Sequence, residues 1–294
     1  MLLVLGLLAC ASDGQHAALG WSLGGEAHVF VTGDRFARDF YRELTGSGRL
    51  SDSLGQRPLL AVDARSRAAT VLSANGAAPA RLTLARFHAA QTCGYPGIVT
   101  ELVLAFPPGD AAGRSTPPSH GPVVALLDAP PFAAGPGAAR PALSRSNALA
   151  LVNRVAQRAE SALLRPLVIN PDQAADAGEV VAMESGYAVG FRARVATAAN
   201  DTVLVTGVAA TDLDLHELHW IVRPQRLRLV GGMIARNSSG VRYSVRGTVA
   251  GPGGGTLLLL DEIADVSARD SRATAVDPAT RRVVAAQPLA LRCS

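Results

Sequence analysis

The chain has 294 residues, 48% of them hydrophobic, which is enough to bury one large core or two modest ones. Its formal net charge is +4 and all 28 basic residues are Arg, so a P-loop, a Schiff-base lysine and a Ser–Lys dyad are excluded, since each needs a lysine amine. Aromatic residues make up only 4% and the Arg are scattered, which argues against a base- or sugar-stacking surface and against nucleic acid as a partner.

No polar side chain occurs from Met1 to Leu8, and the run ends Leu7-Leu8-Ala9-Cys10. It is too short for a membrane-crossing helix of ~20 apolar residues. It fits the apolar part of a signal peptide, roughly 7–15 residues long, without the usual positive leading segment. This ending resembles the lipobox of bacterial lipoproteins, with a signal peptide over 1–9 and Cys10 as the lipidated first residue of the mature chain. The resemblance implies an anchor of several acyl chains, and more than one chain is what makes such anchoring stable. Ala11, where an Asp would favour inner-membrane retention, points to an outer-membrane lipoprotein in the cell envelope, facing the periplasm. The membrane is then a partner through the lipid. An ordinary cleaved signal is the alternative. The small and polar residues that follow, over 10–25, read as a tether.

Setting Cys10 aside leaves Cys93 and Cys293. In an exported chain this even count invites a disulfide. It would close a loop of ~200 residues, worth ~5 kcal/mol by chain entropy. Two separate buried thiols are the alternative.

Residues 26–106 read as a β-rich region with one helix. Ala27–Val31 is a strand candidate. Asp34 offers an N-cap, Phe36, Phe40, Tyr41 and Leu44 recur at helical spacing, and Gly46 and Gly48 stop the helix. Leu59–Val62, Ala68–Leu72, Arg81–Phe87 and Ile98–Phe106 then read as strands between turn residues. Residues 107–142 form a Pro-rich loop around one further strand, Pro122–Asp128. Ser144 or Ser146 caps a helix over 143–165, with Leu149, Val152, Val155, Ala156, Ala159 and Leu163 on one stripe.

Residues 166–294 read as a second β-rich domain. Its strands are expected at Val180–Met183, Val189–Val195, Thr202–Val208, Trp220–Val222, Leu227–Val230, Val241–Val249, Thr256–Leu260, Thr274–Val276 and Val283–Ala286. Gly251-Pro252-Gly253-Gly254-Gly255 is a turn rather than a nucleotide cradle. Two echoes recur. Ala61-Val62-Asp63-Ala64-Arg65 returns as Ala275-Val276-Asp277-Pro278-Ala279, each predicting a hairpin. Val203–Gly232 and Val241–Asp270 both run strand, turn, apolar strand.

The longer echo, with Asp212-Leu213-Asp214-Leu215-His216-Glu217-Leu218 in its first copy, resembles the FG-GAP and VCBS-type repeat proteins. Their repeats place an Asp-rich calcium loop before a Glu-Leu-apolar strand. The second copy matches only over Val249–Leu260 and its glycine loop has no acidic residue. The resemblance therefore implies calcium loops that have lost ligands, since Ca²⁺ takes roughly six to eight oxygens.

Asp212, Asp214, His216, Glu217 and His219 make the densest polar cluster. On a strand, Asp212, Asp214 and His216 share a face; in a helical turn, His216 and His219 do. Asp212, Asp214, His216 and His219 are thus the candidate ligands for calcium or zinc, and no other cofactor is implied. The spacing is not His-Glu-x-x-His, because the second His comes one residue early. The alternative is a solvent-facing turn whose leucines face the core. Cys93 with His88 as base is a nucleophile candidate, weighed against a structural cysteine. Ser185 and Ser239 sit beside glycines and read as turn residues. Asp261, Glu262, Asp265, Arg269, Asp270 and Arg272 read as a salt-bridged surface, with an acid/base carboxylate pair as the sharper possibility.

The expected fold is α+β and mostly β: antiparallel β-rich regions forming a sandwich, barrel or propeller fragment, with one long helix. The expected role is a non-catalytic, lipid-anchored binding or scaffold module with an envelope protein or ligand as partner. A hydrolase or metal-dependent enzyme built on the Asp212–His219 cluster is the alternative.

Overall fold

The computed structural model describes residues 17–46, 49–55, 57–107, 120–127, 141–162, 177–196, 202–230, 233–234, 241–251, 255–264, 271–289, 291 and 293. Cys10 and the signal segment, Leu163, Ser239, Asp265, Arg269 and Asp270 lie outside them. The fold is mostly β and its sheets are antiparallel.

Six strands close into a barrel: β1 (Ala17–Leu23), β2 (Glu26–Thr32), β3 (Leu59–Ser73), β4 (Gly76–His88), β5 (Val99–Ala105) and β6 (His120–Leu127). Their order around the barrel is β1-β2-β5-β4-β3-β6. Alternation along each strand sends Val29, Val71, Leu82, Phe87, Leu102 and Leu104 inward, and these side chains fill the interior. Between β2 and β3, α1 (Asp34–Thr45) and α2 (Leu50–Leu54) add Phe40, Tyr41, Leu44, Leu50 and Leu54 to the same core. Tyr41 meets Phe87 edge-on at 5.5 Å. Gly33, not Asp34, is the N-cap of α1. Asp34 takes the first helical position, where its charge favours the helix dipole, and its Oδ1 accepts the Ile98 N–H at 2.8 Å.

The tether expected over 10–25 is corrected from residue 17 onward, because 17–23 is barrel strand β1. Its small residues mark close packing rather than a linker. Ala18 faces the barrel core, Leu19 packs outward under a second sheet, and a Cβ on Gly20 would stand 1.9 Å from the His28 carbonyl oxygen. The hairpin expected at Ala61–Arg65 is also corrected. That stretch lies within continuous β3, where Arg65 and Ser66 take positive φ and the register slips between Asp63 and Arg67. Its echo does turn, with Asp277 Oδ1 accepting the Ala279 N–H between the strands Arg272–Val276 and Val283–Pro288.

The rest stacks in layers on the barrel. A five-stranded sheet runs β11-β10-β9-β8-β7, from β7 (Ala177–Met183), β8 (Gly186–Ala196), β9 (Thr202–Thr211), β10 (Leu218–Val230) and β11 (Met233–Ile234). A four-stranded sheet runs β12-β13-β14-β15, from β12 (Val241–Ala250), β13 (Thr256–Ala264), β14 (Arg272–Val276) and β15 (Val283–Pro288). The echo Val203–Gly232 and Val241–Asp270 thus falls on hairpins of two different sheets. On the outside, α3 (Arg145–Ala162) lays Leu151, Val152, Val155, Ala156 and Ala159 on Val189, Phe191 and Val205. The opposite face of that sheet, with Ala188, Val208 and Ile221, meets Val245, Leu258 and Leu260. Leu257 and Leu259 point the other way, onto Leu72, Val124 and Leu126 of the barrel exterior. The unbroken leucine run of β13 is therefore buried on both faces.

Ser144 caps α3, its Oγ accepting the Asn147 N–H at 3.3 Å. Leu149, expected on the buried stripe, is 53% exposed and Leu151 takes its place. Of the three helices, α1 stands where the first was expected, the five-residue α2 was not foreseen, and the long helix expected over 143–165 is described as the 18 residues of α3.

Candidate functional site

Asp212–Glu217 is the turn joining β9 to β10, and His219 lies at the start of β10. Asp212 Oδ1 accepts the His216 N–H at 2.8 Å, and Leu215 adopts φ +60°. Leu213, Leu215 and Leu218 pack on the α3 core, which turns Asp214, His216, Glu217 and His219 to solvent. No three of Asp212, Asp214, His216 and His219 bring ligand atoms within 4.8 Å of one another. The local sequence builds a capped turn with apolar anchors, and the polar side chains diverge from it.

Titratable groups do converge on the outer face of the barrel. Glu101 of β5 lies opposite Phe30 of β2 on one side and Arg86 of β4 on the other. His28 and His88 flank it on those same strands, on the diagonal positions that long side chains can span. His28 Nδ1 stands 2.8 Å from Glu101 Oε1, Arg86 donates to the same oxygen at 3.0 Å, and His88 Nε2 stands 2.8 Å from Oε2. Burial pushes the Glu101 carboxyl up. The hydrogen bonds from His88 and His28 and the charge of Arg86 outweigh it and hold the pKa at about 2, below the ordinary 4.5. An ionised carboxylate only accepts, so His28 carries its proton on Nδ1 and His88 on Nε2. Three strands are thereby tied through one buried charge whose two oxygens are both engaged. Of this network the sequence pointed only to His88. The signal for the rest was the alternation Arg86-x-His88 beside His28 and Glu101 at outward strand positions.

Beyond His88 the chain turns through residues 89–98 and presents Cys93, which is fully buried and disulfide-bonded to Cys293. The disulfide closes 200 residues and draws the C-terminal segment onto the barrel. The expected pair Cys93 and His88 does meet: an imidazole nitrogen and both cysteine sulfurs lie within 4.8 Å of one another. With its sulfur in the disulfide, Cys93 holds no thiolate to act as nucleophile.

The expected salt bridging is present at Glu262, which pairs with Arg272, but the carboxylates of Asp261 and Glu262 are not on the surface. Both carboxylates are buried, on opposite faces of β13. Arg246 Nε donates to Asp261 at 2.6 Å, and Arg272 Nε donates to Glu262 at 2.5 Å. Facing opposite layers, they form no acid/base couple. Burial and the neighbouring Glu262 charge both push the Tyr243 phenol up. On the layer side, Glu179 of β7 takes Arg192, the Ser244 hydroxyl and the Val245 N–H.

A cleft of about 110 Å³ opens between the barrel and the four-stranded sheet. Trp21 and Phe30 line its barrel side with Leu19 and Pro122; Arg246, Leu259, Ala273 and Gln287 line the other. Trp21 stands opposite His28 and Phe30 opposite Glu101, so the aromatic wall continues the outer face that carries the Glu101 network. Trp21 is 49% exposed. Asp261, Ala273 and Gln287 form one cross-strand row facing the barrel. Asp261 Oδ1 and Gln287 Oε1 are buried acceptors with no hydrogen-bond donor among the described residues. The sequence signalled none of this cleft, because its two walls come from stretches more than 120 residues apart. The chain matches no family model, no curated protein and no solved structure.

Proposed function

We propose that the protein is an exported, lipid-anchored envelope protein acting as a non-catalytic binding module, with its ligand in the cleft between the barrel and the four-stranded sheet. The observation that carries this reading is the cleft's composition. A half-exposed Trp21 beside Phe30 faces Arg246 and Gln287, an apolar wall opposite a few polar groups; the cleft is smaller than the roughly 300–1,000 Å³ of drug-sized sites, so it suits a single ring of a ligand whose remainder lies on the surface. The ligand class it suits is a small aromatic or apolar body with an anionic group for Arg246. The polar groups elsewhere support the same reading by their commitments: Glu101, Glu179 and Glu262 each tie strands together. The Cys93–Cys293 disulfide supports an oxidising compartment. The anchor at Cys10 and the outer-membrane address rest on the resemblance of Leu7-Leu8-Ala9-Cys10 to a lipobox.

The test of binding uses 1-anilinonaphthalene-8-sulfonate, an aromatic anion, as probe. The folded protein is expected to bind it saturably at one site, with affinity falling about tenfold in Trp21→Ala and in Arg246→Ala. Unchanged binding in both variants overturns the site. For the anchor, labelled palmitate is expected in the wild type and absent from Cys10→Ala; label in the variant refutes lipidation there.

A further inference from the structure

We propose that Cys93, Cys293 and His88 form a masked metal site, which takes a thiophilic divalent cation of the zinc class once the disulfide is reduced. The inference goes beyond the binding module and does not rest on it. The three ligand atoms already lie within 4.8 Å of one another. Tetrahedral zinc, with Zn–S near 2.3 Å, holds neighbouring ligands roughly 3.5–4 Å apart. Forming the site thus asks for local movement of two side chains and no rearrangement of the barrel. Two thiolates and an imidazole are a soft donor set, suited to zinc and unsuited to calcium or magnesium.

A second observation is independent of the sulfurs. His88 Nε2 is held at 2.8 Å by Glu101, itself fixed by His28 and Arg86. That is the carboxylate–histidine arrangement that orients a metal-bound imidazole and fixes its tautomer. With Nε2 carrying the proton, Nδ1 is the nitrogen that would ligate. Glu101 would be a positioning residue rather than a ligand. Cys93 is fully buried and Cys293 partly exposed, so a reductant meets Cys293 first and solvent can supply a fourth ligand.

The chemistry balances in two steps. A dithiol reductant gives two electrons and two protons to the Cys93–Cys293 bond, which breaks to two thiols while the reductant closes to its own disulfide. The cation then displaces one proton from each thiol and binds both thiolates. The C-terminal segment is held to the barrel in either state, by a covalent bond when oxidised and by the metal when reduced.

The test titrates Co²⁺, then Zn²⁺, into the full-length protein, oxidised and after reduction with a phosphine under anaerobic, metal-free conditions. The reduced wild type is expected to bind one equivalent, with a thiolate-to-cobalt charge-transfer band and intense tetrahedral d–d absorption, both bleached by Zn²⁺. The oxidised protein is expected to give neither band. Cys293→Ser and His88→Ala are expected to lose the tetrahedral signature. Glu101→Gln is expected to keep the signature with affinity lowered about 10- to 100-fold. Asp212→Asn/His216→Ala serves as the control and is expected to leave the signature unchanged. If reduction alone loosens the fold, Zn²⁺ is expected to restore the near-ultraviolet circular dichroism of the wild type and not that of His88→Ala. A reduced wild type without thiolate bands overturns the site. So does equal affinity in Cys293→Ser, or a failure of Zn²⁺ to restore a loosened fold.

Discussion

The outer face of the barrel and the sheet face opposite it treat buried charge in contrasting ways. On the barrel, Glu101 receives three donors, and both its oxygens are engaged. Across the cleft, Asp261 has one guanidinium on one oxygen, while its other oxygen and Gln287 Oε1 find no donor among the described residues. A saturated network is structural, because any further ligand would have to displace a partner it already has. An unsaturated row costs stability as it stands and gains when something supplies donors. Function is therefore sought at the cleft, where groups remain unengaged, and not at the saturated Glu101 carboxylate.

Breaking the barrel side should have the largest effects. Cys293→Ser removes the closure of 200 residues and is expected to lower unfolding free energy by up to ~5 kcal/mol in urea titrations under oxidising conditions. Glu101→Gln is expected to cost roughly 3 kcal/mol at neutral pH, the free-energy equivalent of moving a carboxyl from 4.5 to about 2. The folded pKa is depressed, so this contribution is fully present above about 4.5 and is lost as pH falls through about 2. Unfolding curves of wild type and variant should therefore converge on acidification; a gap that persists at low pH contradicts the charge network. Gly20→Ala sharpens the comparison at the seam between the two faces. Its Cβ would strike the His28 carbonyl, with an expected cost of about 1–3 kcal/mol by thermal denaturation. On the cleft side the effects on stability should be smallest. Trp21→Ala is expected to change stability by no more than about 0.5 kcal/mol while weakening probe binding. A large loss of stability there would make the tryptophan a core residue.

Much of the secondary structure was legible locally. The spacing of Phe40, Tyr41 and Leu44 placed α1, the apolar run through Leu257–Leu260 placed β13, and the apolar residues Val99, Leu102 and Leu104 ahead of the Pro-rich loop placed β5. What escaped was set by tertiary contact. The small residues of β1 look like a linker until a second sheet is known to cover them. The bulge in β3 looks like a turn, because Asp63 caps Arg65 within the strand as it would in a hairpin. The order β1-β2-β5-β4-β3-β6 depends on which edges meet, and alternation alone does not encode that. The candidate sites divide the same way. His88 and Cys93 are near enough in sequence to be paired on paper, whereas Glu101 with His28, and Trp21 with Gln287, exist only after the barrel closes and the sheet docks. The Asp212–His219 cluster failed as a constellation for a local reason: its leucines anchor the turn, and that turns the ligand types away from one another.

The most direct test of the binding cleft uses the chain's two tryptophans, Trp21 at the cleft and Trp220 packed on Phe191 at 5.9 Å. Replacing Trp220 with Phe leaves Trp21 as the only donor for energy transfer to 1-anilinonaphthalene-8-sulfonate. Trp21 emission is expected to be quenched saturably at one equivalent of probe, with the affinity weakened about tenfold by Arg246→Ala. Probe binding that leaves Trp21 emission unchanged, or quenching that never saturates, would contradict the binding cleft.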